Sequence, residues 1–396
     1  MKKKKTINKF KLKGKKVIIR CDFNVPIKQG VIVDDNRIKM SLETINYALK
    51  KQAKVILMSH LGKVKTNSDK EINTLKPVSN RLSELLKKEV KFCPITKGLE
   101  LENIINNMVN GDVLLIENTR FEDVDLNKES NCDEELSSYW ANLGDIFIND
   151  AYGTAHRSHA SNVGIATKIP SGIGFLMEKE INTLDKFIHN PKKPYVVILG
   201  GAKIEDKIAM IQNLVNIADK ILIGGGMVFT FLKAKDIMIG KSIVALEHVD
   251  LCKKLLSEYP DKIVLPVDIL TGENYDPSTN IRVSNLDQIR DNEMGMDIGP
   301  ETIKLYKTII DSAKQIFWNG PMGVYEFPKF ANGTRELIQS VANSYTINVI
   351  AGGDLGAVVN NMNLQHKIFH ISTGGGATLE YLEGKSLPGI EVIGDK

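Results

Sequence analysis

Lysine residues that could hold a phosphate stand close behind an apolar run in the stretch Tyr195–Lys207, YVVILGGAKIEDK. The run YVVIL predicts a buried strand, and the two glycines after it predict a turn. Glu205 and Asp206 then suit the first turn of a helix. A strand, a glycine turn and a helix start together favour an anion site, because backbone N–H groups are free there and Lys203 adds a formal charge. A tight turn beside a solvated lysine would give the same pattern.

Charged side chains also follow the apolar runs of the first half of the chain. Helical patterns with apolar residues at i, i+3 and i+4 separate these runs, which predicts a parallel sheet. Ligands bind beyond the carboxyl ends of such strands, so we expect the polar side chains there to share one site. Any one of them could be a solvated surface charge, but together they favour a small, multiply charged anion such as a phosphorylated acid. The candidates are Arg20, Asp22, Asn24, Arg37, His60, Lys63, Arg120 and Arg157.

Glycine takes the place of these charges in the second half of the chain. Four strand–glycine–helix units and one further strand, which ends in WNGPMGVYEF, follow a helical segment near the midpoint. No loop has the form G-x-x-x-x-G-K-[ST] or G-x-G-x-x-G with a following acidic residue, so neither a P-loop nor a dinucleotide fold is supported. Each loop alone could be an ordinary turn, but together they predict a glycine-lined crevice that admits a nucleotide. Asp354, among glycines at a helix start, is a candidate Mg²⁺ ligand, because this ion often takes one carboxylate plus phosphate oxygens.

The two halves together favour phosphoryl transfer between a nucleotide and a small acid. This reaction requires positioning and positive charge more than covalent chemistry from the protein. The chain shows no convincing Ser/His/Asp triad, nucleophile or acidic dyad, and a carboxylate acceptor needs no general base. Two ligands on two domains predict a hinge closure that excludes water.

The composition is that of a soluble globular protein with two or three domains. The chain has 396 residues, of which 42% are hydrophobic and 25% charged. Its net charge of +4 does not indicate a nucleic-acid partner, and the basic N-terminus is interpreted as a solvated arm. No apolar stretch approaches the ~18 residues of a membrane span, so no membrane partner is expected. Four scattered cysteines favour a reduced, cytoplasmic compartment, and for Cys21 a buried inert thiol is favoured over a reactive one.

Long motifs from about Lys16 to the C-terminus resemble those of phosphoglycerate kinases. They occur in that family's order: RCDFNVP, SHLGK, ENTRF, NDAYGTAHRSHAS, LGGAKIEDK, GGGMVFTFLKA, WNGPMGVYEF and STGGGATLEYLEGKSLPG. The resemblance implies an α/β fold of two Rossmann-like, doubly wound parallel-sheet domains that face a cleft. It predicts an N-terminal acidic-substrate domain (1–170, to which 375–396 returns), an interdomain helix (171–190) and a C-terminal nucleotide-binding domain (191–374).

The resemblance also implies an activity and its ligands. The reaction would be reversible phosphoryl transfer between ATP and the carboxylate of 3-phosphoglycerate, giving ADP and 1,3-bisphosphoglycerate, with Mg²⁺, in glycolysis and by a monomer. By motif position, the acidic substrate would be bound by Arg20, Asp22, Asn24, Arg37, His60, Lys63, Arg120 and Arg157. The nucleotide would be bound by Gly201, Lys203, Lys207, Gly295, Asn319, Pro321, Glu326, Gly352, Gly353, Asp354 and Leu355. Arg37, Lys203 and Gly353 would be catalytic, and Asp354 would hold the metal.

Two positions depart from the family's pattern. The family's SHLGR is SHLGK here, so Lys63 keeps the charge but loses the bidentate fork of an arginine. The family's GGGDT or GGGDS is AGGDL, so Leu355 removes a hydroxyl where phosphate would bind, and we expect weaker nucleotide binding with activity retained. Leu355 leaves open one alternative, a catalytically weakened nucleotide- or anion-binding protein of the same fold. An NAD-dependent dehydrogenase is disfavoured because its fingerprint is absent.

Overall fold

The computed structural model describes residues 3–395, which form two units with separate cores. Unit 1 contains the described residues up to Asn182 and those from Ser386 onward, and unit 2 is Thr183–Lys385. Each unit is built on a six-stranded parallel sheet flanked by helices, which confirms the predicted α/β class with two parallel sheets. Among these residues, no helix is both long enough and apolar enough to cross a bilayer.

The described part of unit 1 contains eight strands and six α-helices up to and including the helix that crosses into unit 2. The strands are β1 (Lys16–Arg20), β2 (Ile27–Lys28), β3 (Val31–Ile32), β4 (Lys54–Met58), β5 (Lys91–Cys93), β6 (Val113–Ile116), β7 (Ile146–Asn149) and β8 (Ser171–Ile173). The helices are α1 (Asn36–Lys50), α2 (Asn67–Ile72), α3 (Lys76–Leu86), α4 (Leu99–Asn106), α5 (Glu134–Asn142) and α6 (Phe175–Ile188). The sheet order is β5-β6-β4-β1-β7-β8, while β2 and β3 form a short antiparallel hairpin.

The strands of this sheet are apolar runs because both of their faces are covered. β1, β4, β6 and β7 are almost wholly buried, as is usual in a parallel sheet with helices on both sides. α1 and α3 contribute apolar stripes to the core, with Ile38 and Leu82 fully buried. Arg20 at the end of β1 lies opposite Met58 of β4 and Asn149 of β7. The residues that follow these three strands therefore meet at one edge of the sheet.

The described part of unit 2 contains nine further strands and seven helices. The strands are β9 (Tyr195–Leu199), β10 (Lys220–Ile223), β11 (Ile263–Val264), β12 (Asp268–Gly272), β13 (Arg282–Asn285), β14 (Met294–Ile298), β15 (Gln315–Asn319), β16 (Ile347–Ala351) and β17 (His370–Ser372). The helices are α7 (Ile208–Leu214), α8 (Val228–Ala234), α9 (Val249–Glu258), α10 (Pro300–Ser312), α11 (Asn332–Asn343), α12 (Gly353–Asn361) and α13 (Gly376–Leu382).

Two sheets share the strands of unit 2. The parallel sheet has the order β11-β10-β9-β15-β16-β17, and β13-β12-β14 form a separate antiparallel sheet. The sequence patterns do not predict the second sheet, because its strands are short and β13 alternates between exposed and covered positions beside a polar loop. The four predicted strand–glycine–helix units are confirmed as β9–α7, β10–α8, β16–α12 and β17–α13.

The predicted helix start at Glu205 and Asp206 is wrong. α7 begins at Ile208 with Lys207 at its N-cap, so both acidic residues lie in the loop after β9. Ile204 in the middle of this loop is buried, and its carbonyl oxygen accepts the N–H of Lys207 at 2.8 Å. Burial of this one apolar side chain bends the chain into a loop where local charge alone favours a helix.

α6 carries the chain from unit 1 into unit 2. The predicted helix of about 15 residues, closed by prolines, is confirmed, since α6 has 14 residues and Pro191 and Pro194 follow it. The carboxylate of Asp150 accepts the N–H of Met177 at 3.1 Å in the first turn of α6. The boundary between the units falls within this helix, after Asn182.

The residues after Ser386 return to unit 1 and include α14 (Pro388–Glu391). The carbonyl oxygen of Gly389 accepts a hydrogen bond from Asn149 at 3.0 Å, and Ile390 is fully buried. Lys4 is buried as well, and its ammonium forms an ion pair of 3.0 Å with Asp395. This C-terminal segment is therefore part of the packing of unit 1.

Candidate active site

Glycine-containing loops follow β9, β10, β15, β16 and β17 at the carboxyl edge of the unit 2 sheet. Three of these loops pack backbone against backbone. A Cβ on Gly225, whose φ is +65°, would lie 2.5 Å from both the N and the O atom of Gly201. A Cβ on Gly320 would lie 2.2 Å from the carbonyl oxygen of Gly200. Glycine is therefore required at these positions for two reasons: the turns need its conformational freedom, and the neighbouring main chains leave no space for a Cβ.

Two adjoining cavities lie at this edge. The first, called the apolar cavity, measures about 390 Å³ and is bordered by Phe229, Ile269, Tyr275, Met296 and Val324, together with the predicted Gly295 and Glu326. The second, called the polar cavity, measures about 310 Å³ and is bordered by Lys203, Lys207, Asn319, Gly352, Asp354 and Leu355. Gly201, Pro321 and Asp354 border both. Of the predicted nucleotide-binding residues, only Gly353 borders neither cavity, and it stands exposed as the first residue of α12.

The two lysines of the polar cavity have different surroundings. Lys207 is buried, and its ammonium donates a hydrogen bond to the side-chain oxygen of Asn319. Burial lowers the pKa of Lys207, although the carboxylates of Asp206 and Asp354 act in the opposite direction. Lys203 is exposed, and within the described chain no hydrogen bond or ion pair engages its ammonium. Lys207 is thus held in place, while Lys203 is free to meet a ligand.

The start of α12 presents unpaired N–H groups at the polar cavity. The first helical hydrogen bond runs from Gly356 to the carbonyl oxygen of Gly352, so the N–H groups of residues 353–355 have no partner within the helix. Gly352 has a φ of +106°, which glycine adopts without strain. Leu355 borders the polar cavity, but the residue is fully buried and packs in the apolar core of unit 2.

Two residues at these cavities are absent from the sequence-based site. Tyr325 borders the apolar cavity, as does Asp354. Burial and the charge of Asp354 raise the pKa of Tyr325 to about 12, so its hydroxyl is protonated at pH 7. Asp297 also borders the apolar cavity, and its carboxylate accepts the N–H of Gly333 at 2.8 Å in the first turn of α11. Tyr325 could have been suspected from its place two residues after the WNGPMG turn.

In unit 1, the predicted acidic-substrate residues partly hold one another. Arg37 donates to the carboxylate of Asp22 at 2.5 Å, and Asn24 accepts the N–H of Gly62 at 2.9 Å. Burial would raise the pKa of Asp22, but Arg37 and the other positive charges beside it outweigh this and lower the pKa. Asp22 is therefore a fixed carboxylate that orients Arg37.

Arg20 and His60 lie below the surface of this cluster. Arg20 is fully buried, where it donates to Ser161 at 2.8 Å and lies 3.3 Å from the ring of His60. A direct contact with a ligand would require the guanidinium of Arg20 to become accessible. Burial lowers the pKa of His60 well below its usual value, and the charges of Arg20, Arg120 and Arg37 lower it further. His60 is consequently neutral at pH 7, so it adds no positive charge to the predicted basic patch.

The remaining predicted residues of unit 1 have looser surroundings. Arg120 lies 3.6 Å from the carboxylate of Asp123, while its buried Nε has no hydrogen-bond partner among the described residues. Arg157 is exposed and contacts the ring of His156 at 3.2 Å. Lys63 is exposed, and nothing in residues 3–395 ties it to the cluster. The structure thus brings Arg20, Asp22, Arg37, His60 and Arg120 together, while Lys63 is exposed to solvent.

A buried network that the sequence did not indicate supports this cluster. Glu129 accepts hydrogen bonds from the N–H of Ser161, at 2.8 Å, and from its hydroxyl. His159 lies 3.8 Å from Glu129, and burial followed by the nearby arginine charges lowers the pKa of His159 to about 3. No local pattern marks these residues, because Glu129 joins the site from a loop far along the chain. The predicted inert character of Cys21 agrees with its burial, which raises the pKa of the thiol.

Comparison with known proteins places this site in a family. The model of the family described as "Phosphoglycerate kinase" matches residues 7–385. The chain belongs to the phosphoglycerate kinase family. The phosphoglycerate kinase of Enterococcus faecalis is 53% identical to it, and the match covers 99% of this chain and 100% of that protein. The phosphoglycerate kinase of Lacticaseibacillus casei is 54% identical, and the match covers 98% of this chain and 99% of that protein.

Solved structures of the same family have the same fold. Phosphoglycerate kinase of Coxiella burnetii matches with a TM-score of 0.87 at 36% identity, over 98% of each chain. That of Pyrococcus horikoshii matches with a TM-score of 0.85 at 32% identity, over 99% of this chain and 98% of the other. The predicted family is confirmed, and with it an enzyme that acts as a phosphotransferase with a carboxyl group as acceptor. The alternative of a weakened binding protein loses its one argument, since Leu355 is a core residue.

Proposed function

We propose that the protein transfers a phosphoryl group reversibly between ATP and the carboxylate of 3-phosphoglycerate, giving ADP and 1,3-bisphosphoglycerate, in glycolysis. The observation that carries this proposal is the pairing of an apolar cavity with a polar one in unit 2. An apolar cavity suits a base and ribose, while lysines and the unpaired N–H groups of a helix start suit phosphates. In this assignment unit 2 is the nucleotide-binding domain, with Glu326 toward the ribose and Lys207 on the phosphates.

Unit 1 would bind the acidic substrate through the cluster around Asp22. The residues we assign to it are Arg20, Asp22, Asn24, Arg37, His60, Lys63, Arg120 and Arg157. Arg37 is oriented by its ion pair with Asp22, so its guanidinium is held for a carboxylate or phosphate group. Neutral His60 can accept or donate a hydrogen bond without adding charge. Arg20, which is buried, would act indirectly by holding the ring of His60 in place.

Mg²⁺ fits the polar cavity as the partner of the nucleotide phosphates. Asp206 and Asp354 both border this cavity, and the charges of both act on Lys207. Residues 3–395 contain no cluster of three or more His, Cys, Asp or Glu side chains that could hold an ion. A site of one or two carboxylates completed by phosphate oxygens is the usual arrangement for this ion, and Asp354 would hold it. When bound, Mg²⁺ would neutralise phosphate charge.

In the reaction, a carboxylate oxygen of the acceptor attacks the terminal phosphorus of ATP, and the bond to the bridging oxygen breaks, leaving ADP. No proton moves, so no general base is required. Lys203, exposed at the polar cavity, would stabilise the phosphoryl group in transit, and Arg37 would do so from the acceptor side. The N–H of Gly353 at the start of α12 would add a neutral donor.

Transfer requires the two ligands to meet, so we propose that the units close when both are bound. α6, which crosses the unit boundary, is our candidate hinge. Small-angle scattering should show a smaller radius of gyration with 3-phosphoglycerate and a nonhydrolysable ATP analogue than with either alone, and equal radii would contradict closure. We also propose a cytoplasmic monomer, which size-exclusion chromatography with light scattering tests for its oligomeric state.

A coupled assay of ADP formation tests the function itself. 3-Phosphoglycerate should support turnover, while glycerate, which has the same carboxylate but lacks the phosphate, should support almost none. The reason is that the positive charges of unit 1 act on the phosphate as well as on the carboxylate. Equal rates with both acceptors, or ADP formation that needs no acceptor, would contradict the proposed function.

A further inference from the structure

Arg20 connects the unit 1 cluster to the interior of that unit. Its guanidinium is fully buried and has three partners: Nε donates to the hydroxyl of Ser161 at 2.8 Å, Nη1 donates to the carbonyl oxygen of Cys21, and Nη2 lies 3.3 Å from Nδ1 of His60. An arginine side chain has N–H donors and no acceptor. Its partners must therefore accept, and this requirement fixes where the protons of Ser161 and His60 lie.

The hydroxyl of Ser161 accepts from Arg20, so it donates its own proton to another group. That group is the carboxylate of Glu129, whose second oxygen accepts the N–H of Ser161 at 2.8 Å. The main chains of the two segments are also joined, because the N–H of Ala160 donates to the carbonyl oxygen of Glu129 at 2.9 Å. Glu129 and Ser161 are both fully buried, so they can act on a ligand only through Arg20.

Nδ1 of His60 is the acceptor at the other end of Arg20. Burial lowers the pKa of His60 well below its usual value, so the neutral ring carries a single N–H at pH 7. With Nδ1 as the acceptor, that N–H lies on Nε2. Within residues 3–395 no group is hydrogen-bonded to Nε2, and His60 is 7% exposed. Ionised carboxylate and phosphate oxygens only accept hydrogen bonds, so a free Nε2–H offers them a donor.

We propose that Glu129 and Ser161 are positioning residues for the acidic substrate, which hold Arg20 so that His60 stays in the Nε2–H tautomer and donates to a substrate oxygen. The inference deepens the proposed function and rests on it, because 3-phosphoglycerate supplies the accepting oxygen. Which ring nitrogen of a histidine is protonated is set by the hydrogen bond that the other nitrogen makes. Glu129 and Ser161 touch neither the substrate nor the reacting atoms.

The first test is the ¹⁵N NMR spectrum of the ligand-free wild type with labelled histidine. The chain has seven histidines, so His60 is assigned as the signal that is missing from His60→Gln. The shifts of the two ring nitrogens show which of them carries the proton. At pH 7 we expect it on Nε2 of His60. A proton on Nδ1, or a charged ring, would overturn the proposal, and this result does not depend on the folding of any Ser161 or Glu129 variant.

The second test removes the groups that hold Arg20. Ser161→Ala deletes the hydroxyl that accepts from Nε, and Glu129→Gln leaves one accepting oxygen for two donors. Each variant should show exchange between the two tautomers of His60. By calorimetry, each should bind 3-phosphoglycerate about tenfold more weakly, as expected for one hydrogen bond to a charged group, and bind ADP as the wild type does. In a His60→Gln background, Ser161→Ala should weaken 3-phosphoglycerate binding no further.

Ser79→Ala is the matched control. It removes another buried hydroxyl of unit 1, which donates to the carbonyl oxygen of Val90 at 3.1 Å, and it should change neither the signals of His60 nor the affinity for 3-phosphoglycerate. The proposal is overturned if Ser161→Ala and Glu129→Gln behave like this control and lose only stability, as a purely structural role predicts. A wild type that forms no ADP from ATP and 3-phosphoglycerate would refute the proposed function and this inference together. An active wild type with the proton on Nδ1 of His60 would refute the positioning role alone.

Discussion

Unit 1 and unit 2 have sheets of the same kind, but they build the sites at their strand ends from different groups. In unit 1 charged side chains hold one another, as in the ion pair of Arg37 with Asp22. In unit 2 the strand ends carry glycine, and main chains pack closely, as Gly225 does against Gly201. One site is therefore held by side-chain charges, and the other by backbone contacts that leave Lys203 unengaged.

The comparison teaches which substitutions separate binding from stability. A side chain that holds its neighbours cannot be removed without disturbing them, because a buried partner loses its hydrogen bond. A side chain that has no partner in the protein and is exposed for a ligand can be removed with little effect on the stability of the fold. We therefore expect charge removal in unit 1 to affect stability and affinity together, and charge removal at Lys203 to affect turnover alone.

The largest effect should come from Lys203→Ala. Because Lys203 is exposed and unengaged, its loss should leave the free energy of unfolding unchanged within about 0.5 kcal/mol. Loss of a charge that stabilises the transferring group should lower kcat by about 10²–10³-fold. Steady-state kinetics and urea unfolding measure the two quantities. Full activity in this variant would remove Lys203 from the mechanism.

Gly225→Ala should destabilise unit 2 by about 3 kcal/mol, because the new Cβ would lie 2.5 Å from two backbone atoms of Gly201 and at a positive φ. Gly30→Ala is its control, since Gly30 has a φ of +78° and open space around it. That variant isolates the backbone strain and should lose about 1 kcal/mol. Equal losses in urea unfolding would show that close packing contributes nothing.

Leu355→Thr should lower the free energy of unfolding by about 2–3 kcal/mol, because a fully buried leucine is shortened and a hydroxyl enters the core of unit 2. The KM for ATP should not improve. Chemical unfolding and ATP titration of the rate check these two expectations. A tighter KM would restore the sequence-based expectation that a hydroxyl is missing at this position.

Each unit contains a buried carboxylate with a raised pKa. Burial raises the pKa of Asp150 in unit 1 and of Asp297 in unit 2 to about 7, and each accepts N–H groups at a helix start. A raised carboxyl pKa means that the folded state binds the proton more tightly, so the contribution of Asp150 to stability falls as the pH rises toward 7.

Asp150→Asn removes this titration and keeps an oxygen that can accept the N–H of Met177. Between pH 5 and pH 7, the stability of the wild type relative to this variant should therefore fall by about 2 kcal/mol. Urea unfolding at pH 5, 6 and 7 measures the difference. Parallel pH profiles for the two proteins would contradict the raised pKa.

Arg37→Ala should lower the free energy of unfolding by less than Gly225→Ala, about 1–2 kcal/mol, because Arg37 is one-third exposed while its partner Asp22 is buried. Unlike Lys203→Ala, it should also raise the KM for 3-phosphoglycerate. Kinetics with the acceptor varied, together with unfolding curves, test both effects. An unchanged free energy of unfolding would show that the ion pair of Arg37 with Asp22 does not stabilise unit 1.

Much of the fold and site follows from local patterns in the sequence. Apolar runs and glycine turns have short-range causes, so both parallel sheets could be predicted, and all but one of the predicted nucleotide-binding residues border one of the two cavities. The burial of Arg20 could not be predicted from local patterns, because its hydrogen-bond partner Ser161 is distant in the chain. Local charge favours a helix start at Glu205, but α7 begins only at Ile208, because the burial of Ile204 outweighs this charge.

The return of the C-terminal segment fixes an order of events during synthesis. Residues 386–395 pack in unit 1, yet every residue of unit 2 precedes them in the chain. A ribosome therefore completes unit 2 before it supplies Gly389, which bonds to Asn149, or Asp395, which pairs with Lys4. Most of unit 1 is therefore synthesised before unit 2, but unit 1 can complete its packing only after unit 2 has been synthesised.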